Sequence, residues 1–138
     1  MSLKNSVVLV LLVSLVITIF PISGCIGTRL IEDITPQEAF TLIQENQTNP
    51  DFVIIDVRTP EEFTQEYIEN ALNLNYHSET FQDELNQLDK SKTYLIYCQS
   101  GNRSRNALNI MAELNFKEAY NMLGGIAEWK KEGLPTVK

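Results

Sequence analysis

Two near-identical tetrapeptides, Thr35-Pro36-Gln37-Glu38 and Thr59-Pro60-Glu61-Glu62, stand on either side of the unbroken apolar run Phe52-Val53-Ile54-Ile55. In each, threonine suits the N-cap, proline the first helical position and glutamate the third, a set that satisfies orphan amide donors through a capping box. The spacing predicts helices beginning at Pro36 and Pro60. The apolar run follows Asn49-Pro50-Asp51 and shows no apolar/polar alternation, so a strand there is buried on both faces. Asp56 and Arg58 fall at its C-terminal end. Further strands are predicted at Leu30–Ile34, 71–74, Thr93–Tyr97 and 119–122. Ser78 is expected to cap a helix over 79–88, a helix starts near Arg103 and carries Ala107, Leu108, Met111 and Leu114, and a last helix over 125–132 closes at Gly133 and Pro135. Strands separated by helices imply an α/β fold, a parallel sheet with helices on both faces.

The chain has 138 residues, one domain's worth, and its 18 acidic against 11 basic side chains argue against a nucleic-acid partner, which would demand a basic face. Two cysteines cannot staple a small scaffold, and a single histidine leaves no metal-ligand set of zinc spacing. No charged residue occurs between Lys4 and Arg29, and residues 7–20 are apolar except for Ser14 and Thr18. As a helix that stretch is about 21 Å long, short of the roughly 30 Å hydrocarbon core of a bilayer. With Lys4 ahead of it, Pro21 ending it and Ser23 and Gly24 following, it reads as an export signal. Ile22-Ser23-Gly24-Cys25 resembles the lipobox of prokaryotic lipoproteins. The resemblance implies a signal peptide over residues 1–24, lipidation of Cys25, a tether over residues 25–29 and an extracytoplasmic, membrane-anchored domain over residues 30–138. The alternative is an uncleaved anchor whose apolar run extends to Ile26. Losing the signal removes Lys4 and no acid, so the remaining chain is one charge more negative.

Tyr94-Leu95-Ile96-Tyr97-Cys98-Gln99-Ser100-Gly101-Asn102-Arg103-Ser104 carries the chemistry. A buried strand delivers Cys98 to the carboxyl edge of the sheet, where open α/β sheets bind ligands. The loop then turns at Gly101 into a helix. Successive loop amides form a nest, the helix N-terminus adds partial positive charge, and Arg103 and Arg105 add full charges, so a thiolate at Cys98 is favoured without a partner histidine. Cysteine at a strand end can also be a small core hydrophobe. That use does not call for a glycine-containing loop running into arginine at a helix start. A Cys25–Cys98 disulfide would block the nucleophile and consume the lipobox cysteine.

Across 30–137 the chain resembles the rhodanese family of sulfurtransferases. The matching segments are Val53-Ile54-Ile55-Asp56-Val57-Arg58-Thr59-Pro60-Glu61-Glu62-Phe63, the loop from Cys98 to Ser104, and Gly124-Gly125 with Trp129, Gly133, Leu134 and Pro135. The resemblance implies a rhodanese-like fold with a central five-stranded parallel sheet flanked by helices, and no cofactor. It implies that Cys98 takes sulfane sulfur from a small donor such as thiosulfate, holds it as a persulfide, and passes it to a thiol or cyanide. Backbone amides of Gln99, Ser100, Gly101, Asn102, Arg103 and Ser104 would stabilise the anionic sulfur, and Arg103 would orient an anionic donor. Asp56 would brace the loop, and Arg58 would pair with Glu62. The second reading is a non-catalytic or sulfur-carrying module that acts with a protein partner.

Phosphatases that cradle phosphate, including those of this fold, place five residues between cysteine and arginine, whereas four separate Cys98 from Arg103. The shorter loop favours a single sulfur atom over a phosphoryl group. Where the family commonly shows Gly-His-Ile-Pro-Gly-Ala, this chain has Glu66-Tyr67-Ile68-Glu69-Asn70-Ala71, with Asn70 able to take the left-handed position but with an acidic rim facing anionic donors. Gln99 stands where arginine is frequent, and His77 reads as polar surface.

Overall fold

The computed structural model describes residues 28–138. In these residues the chain runs β1 (Leu30–Ile34), α1 (Pro36–Glu45), β2 (Phe52–Asp56), α2 (Pro60–Phe63), β3 (Leu72–Asn73), α3 (Phe81–Gln87), β4 (Thr93–Tyr97), α4 (Asn102–Glu113), β5 (Glu118–Met122) and α5 (Gly125–Lys131). The strands form one five-stranded sheet in the order β1-β5-β4-β2-β3, and every pairing between neighbours is parallel. The signal segment, Cys25 and most of the expected tether lie outside the described residues, within which no helix is long and apolar enough to cross a membrane.

Both capping boxes form as the sequence requires. Thr35 N–H donates to Glu38 Oε2 at 2.8 Å and Thr59 N–H to Glu62 Oε2 at 3.0 Å, while each threonine hydroxyl accepts from the glutamate amide. The third helix starts later than predicted. Ser78 takes the Thr80 amide into a tight turn, and the helix begins at Phe81 after an N-cap, Thr80, that makes no side-chain cap bond. The strand expected at 71–74 pairs only at Leu72 and Asn73. The last helix closes in a Schellman arrangement: Leu134 N–H donates to Trp129 O at 3.1 Å and Gly133 N–H to Lys130 O at 2.9 Å, with Gly133 left-handed at φ +75°.

Burial on both faces explains the unbroken apolar strands. Ile55, Tyr94, Ile96 and Ala119 face one layer with Phe81, Leu85, Leu108 and Met111, hence α3 and α4. Their strand neighbours Ile54, Leu95 and Tyr120 face the other layer with Ala39, Ile126 and Trp129, hence α1 and α5, and Phe63 of α2 packs on this side too. Adjacent strands β2 and β4 therefore send their chains to opposite faces, β2 into α2 and β4 into α4. Such divergence opens a crevice at the carboxyl ends of the two strands, the place where α/β sheets bind ligands. Cys98 follows β4 at that point, and Asp56 ends β2.

Candidate active site

Cys98 is completely buried just past the end of β4. Its sulfur accepts the Gly101 amide at 3.1 Å and the Ser104 hydroxyl at 3.4 Å. Gly101 supplies the turn with φ +93°, and a Cβ there would lie 3.1 Å from Gly124 N. Burial by itself pushes the Cys98 thiol up. The Ser104 hydroxyl and the amides of Ser104, Ser100 and Gly101 more than offset it and hold the thiol below its ordinary value.

The loop is held from behind by the start of α5. Ile126 N–H donates to Cys98 O at 2.8 Å and Ala127 N–H to Gln99 O at 3.1 Å. These are amides that a helix start leaves without intrahelical partners. Gly125 makes the approach possible, because its φ is +59° and a Cβ would sit 2.4 Å from Cys98 O. The sequence offered Gly124-Gly125 as a signature without this reason for it. Ile126 and Ala127, which act only through their backbone, left no side-chain signal.

Three arginines at this edge each face a carboxylate. Glu62 accepts both arms of Arg103, Nη1 to Oε2 and Nη2 to Oε1, each at 2.8 Å. The expected Arg58–Glu62 pair does not form. Arg58 instead turns back on its own strand end, donating Nε and Nη2 to Asp56 at 2.7–3.0 Å and Nη2 to Glu66 O at 2.6 Å, in a setting where both partners are buried. Asp56 also accepts Arg58 N–H, so it braces the turn after β2 and not the cysteine loop. The two-residue separation decides this, since the Asp56 carboxylate is already in reach when Arg58 leaves the strand. Arg105 pairs with Asp33, which also accepts from Asn121.

The Arg103 guanidinium is the main reason the Glu62 carboxyl is lowered to about 2. A carboxyl lowered on folding stabilises the fold above its ordinary titration range and loses that contribution as pH falls through the folded value. The Glu62–Arg103 pair is thus charged throughout neutral and mildly acidic pH. Arg103 is raised in turn, by Glu62 first and also by the nearby Cys98 sulfur.

Gln99, Ser100 and Asn102 are exposed along the loop, and Ser104 is buried beneath the sulfur. Asn70 adopts the left-handed conformation at φ 65°, and the turn it ends is pinned by Ile68 N–H donating to the Tyr97 hydroxyl at 3.0 Å. His77 is exposed, with its ring edge-on to Tyr76. Among the described residues no group of three His, Cys, Asp or Glu is placed to hold a metal ion.

A buried cysteine held by loop amides at the switch point of a parallel sheet defines an α/β domain built around a cysteine whose thiol is held below its ordinary value. The model of the rhodanese-like domain matches residues 35–132, and the chain belongs to that family. It is 34% identical over 101 residues to a thiosulfate sulfurtransferase, GlpE, of Coxiella burnetii, covering 73% of this chain and 89% of the relative. It is 33% identical over 97 residues to a sulfurtransferase of Allochromatium vinosum, covering 70% and 89%. The crystal structure of a rhodanese-like domain protein from Staphylococcus aureus superposes with TM-score 0.60 at 30% identity, over 78% of this chain and 99% of that one. These relatives support a sulfurtransferase-like role.

Removal of the Ser104 hydroxyl tests the electrostatics. In Ser104→Ala the thiolate absorbance of Cys98, taken as the difference from a Cys98→Ser reference, should titrate at higher pH than in the wild type. An unchanged midpoint would mean the hydroxyl does not stabilise the sulfur.

Proposed function

We propose that the chain is a sulfurtransferase that carries sulfane sulfur as a persulfide on Cys98. The observation that carries this reading is the convergence of the Gly101 amide and the Ser104 hydroxyl on a buried Cys98 sulfur. In the first half-reaction the Cys98 thiolate attacks the outer sulfur of a donor. The donor's S–S bond breaks, and thiosulfate releases sulfite. The outer sulfur of the persulfide then lies where loop amides meet it, so its negative charge is stabilised as it forms. In the second half-reaction an acceptor, cyanide or a thiolate, attacks that sulfur and the Cys98 thiolate leaves. Covalent catalysis of this kind splits one difficult transfer into two easier ones.

Burial of Cys98 and the four-residue spacing to Arg103 support sulfur over phosphate. A single atom can be handed to a sulfur at the floor of a short loop. A tetrahedral phosphoryl group needs its oxygens surrounded, and Arg103 already gives both arms to Glu62. The purified protein should form thiocyanate from thiosulfate and cyanide, and Cys98→Ser should abolish it. Hydrolysis of para-nitrophenyl phosphate dependent on Cys98 would overturn the assignment.

The lipobox-like segment supports a lipid on Cys25 that tethers the enzyme to the extracytoplasmic face of a membrane, where its partners are a small sulfur donor and a thiol acceptor. Expressed in a bacterial host, the chain should enter the membrane fraction and yield a lipid-modified N-terminal cysteine. Recovery with residues 1–24 intact would point to the uncleaved anchor.

A further inference from the structure

The neutral character of the cysteine loop's surroundings bears on the donor, on the premise that Cys98 is loaded with sulfur as proposed above. Residues 99–102 carry no charge, and the charge of the arginine that follows them is balanced by a carboxylate. Both arms of Arg103 are taken by Glu62 in a bidentate pair, the strongest geometry for a guanidinium and a carboxylate. Glu62 is itself fixed, because the oxygen that meets Arg103 Nη1 also accepts the Thr59 amide of its capping box. Arg58 and Arg105 are likewise engaged, by Asp56 and Asp33. A dianion arriving at the crevice meets backbone amides and no arginine without a carboxylate partner, and on the neighbouring segment Glu66 is paired with Lys130 while Glu61 and Glu69 add negative charge.

We infer that Glu62 is a specificity-determining residue: by neutralising Arg103 it tunes the site away from doubly charged donors such as thiosulfate and toward organic hydropersulfides, which are neutral or singly charged. The loading step for that class balances as a simple exchange. The Cys98 thiolate attacks the outer sulfur of R–S–S–H, the S–S bond of the donor breaks, R–S⁻ departs, and Cys98–S–S–H remains. No oxidant or reductant is consumed. Glu62 acts through Arg103 and touches no reacting atom, so it is a positioning residue.

The test follows loading alone, without an acceptor, by intact-protein mass spectrometry of the full chain mixed with either thiosulfate or the hydropersulfide of 2-mercaptoethanol. The wild type should load faster from the hydropersulfide. In Glu62→Gln, where the amide can still accept from Thr59 but no longer cancels the Arg103 charge, the ratio of the thiosulfate rate constant to the hydropersulfide rate constant should rise at least tenfold. A ratio that stays put while both rates fall together would mark Glu62 as merely structural and overturn the inference. A second measurement needs no variant: the wild-type rate constant for thiosulfate should hold or rise with added salt, because paired charges leave no attraction to screen. A steep fall with salt would reveal an open cation and overturn the inference even if Glu62→Gln does not fold. Wild-type protein that loads from neither donor would sink the sulfur-transfer reading itself.

Discussion

The first amides of α5 take the Cys98 and Gln99 carbonyls, and the orientation of the whole loop follows from these two hydrogen bonds. A trans peptide points its N–H opposite to its C=O. With the Gln99 carbonyl drawn back to Ala127, the Ser100 amide of the same peptide unit is turned away from α5, and it is one of the groups that hold the Cys98 thiol low. Any side chain at position 125 would stand in the path of that contact. The lowering of the Cys98 thiol thus depends on a glycine 27 positions further along the chain, at the start of α5.

Charge at the same edge divides into two kinds of pair. Asp56 and Arg58 are both buried, and removing one partner of such a pair typically costs about 3–5 kcal/mol because the other is left uncompensated. That pair, with Asn73 donating to the Asp56 and Arg58 carbonyls, holds the turn that leads into α2. Glu62 and Arg103 are partly exposed, and pairs of that sort contribute little to stability, typically ~0–1 kcal/mol. Their importance lies in what charge the crevice shows to a ligand. The capping box of α2 and the first turn of α4 meet in one carboxylate, so a residue that starts a helix also sets the electrostatics of the cysteine loop.

Much of this was legible in the residues. The capping boxes fixed two helix starts, the unbroken apolar strands implied burial on both faces, and the loop after Cys98 pointed to amides that hold a thiol low. The misreadings share a cause. The sequence pairs Arg58 with Glu62 because spacing does not say which carboxylate a long, flexible arginine reaches first. Asp56 lay closer to Arg58, which left Glu62 for Arg103. Ser78 looked like a helix cap, but its hydroxyl was taken by a local turn, a competition that serine enters routinely. The clamp by Ile126 and Ala127 was invisible because backbone amides have no sequence identity, although the glycine pair before them marked the place where a chain had to come close.

Direct detection of sulfur on Cys98 bears most closely on the whole picture. After exposure to a sulfane-sulfur donor and rapid alkylation, peptide mass spectrometry should find a gain of one sulfur atom on the peptide that contains Cys98 and on no other peptide of the domain, and the gain should vanish when cyanide is added before the alkylating agent. A Cys98 peptide that remains unmodified with thiosulfate and with organic hydropersulfides, in protein shown to be folded, would contradict a persulfide-carrying thiolate at this site.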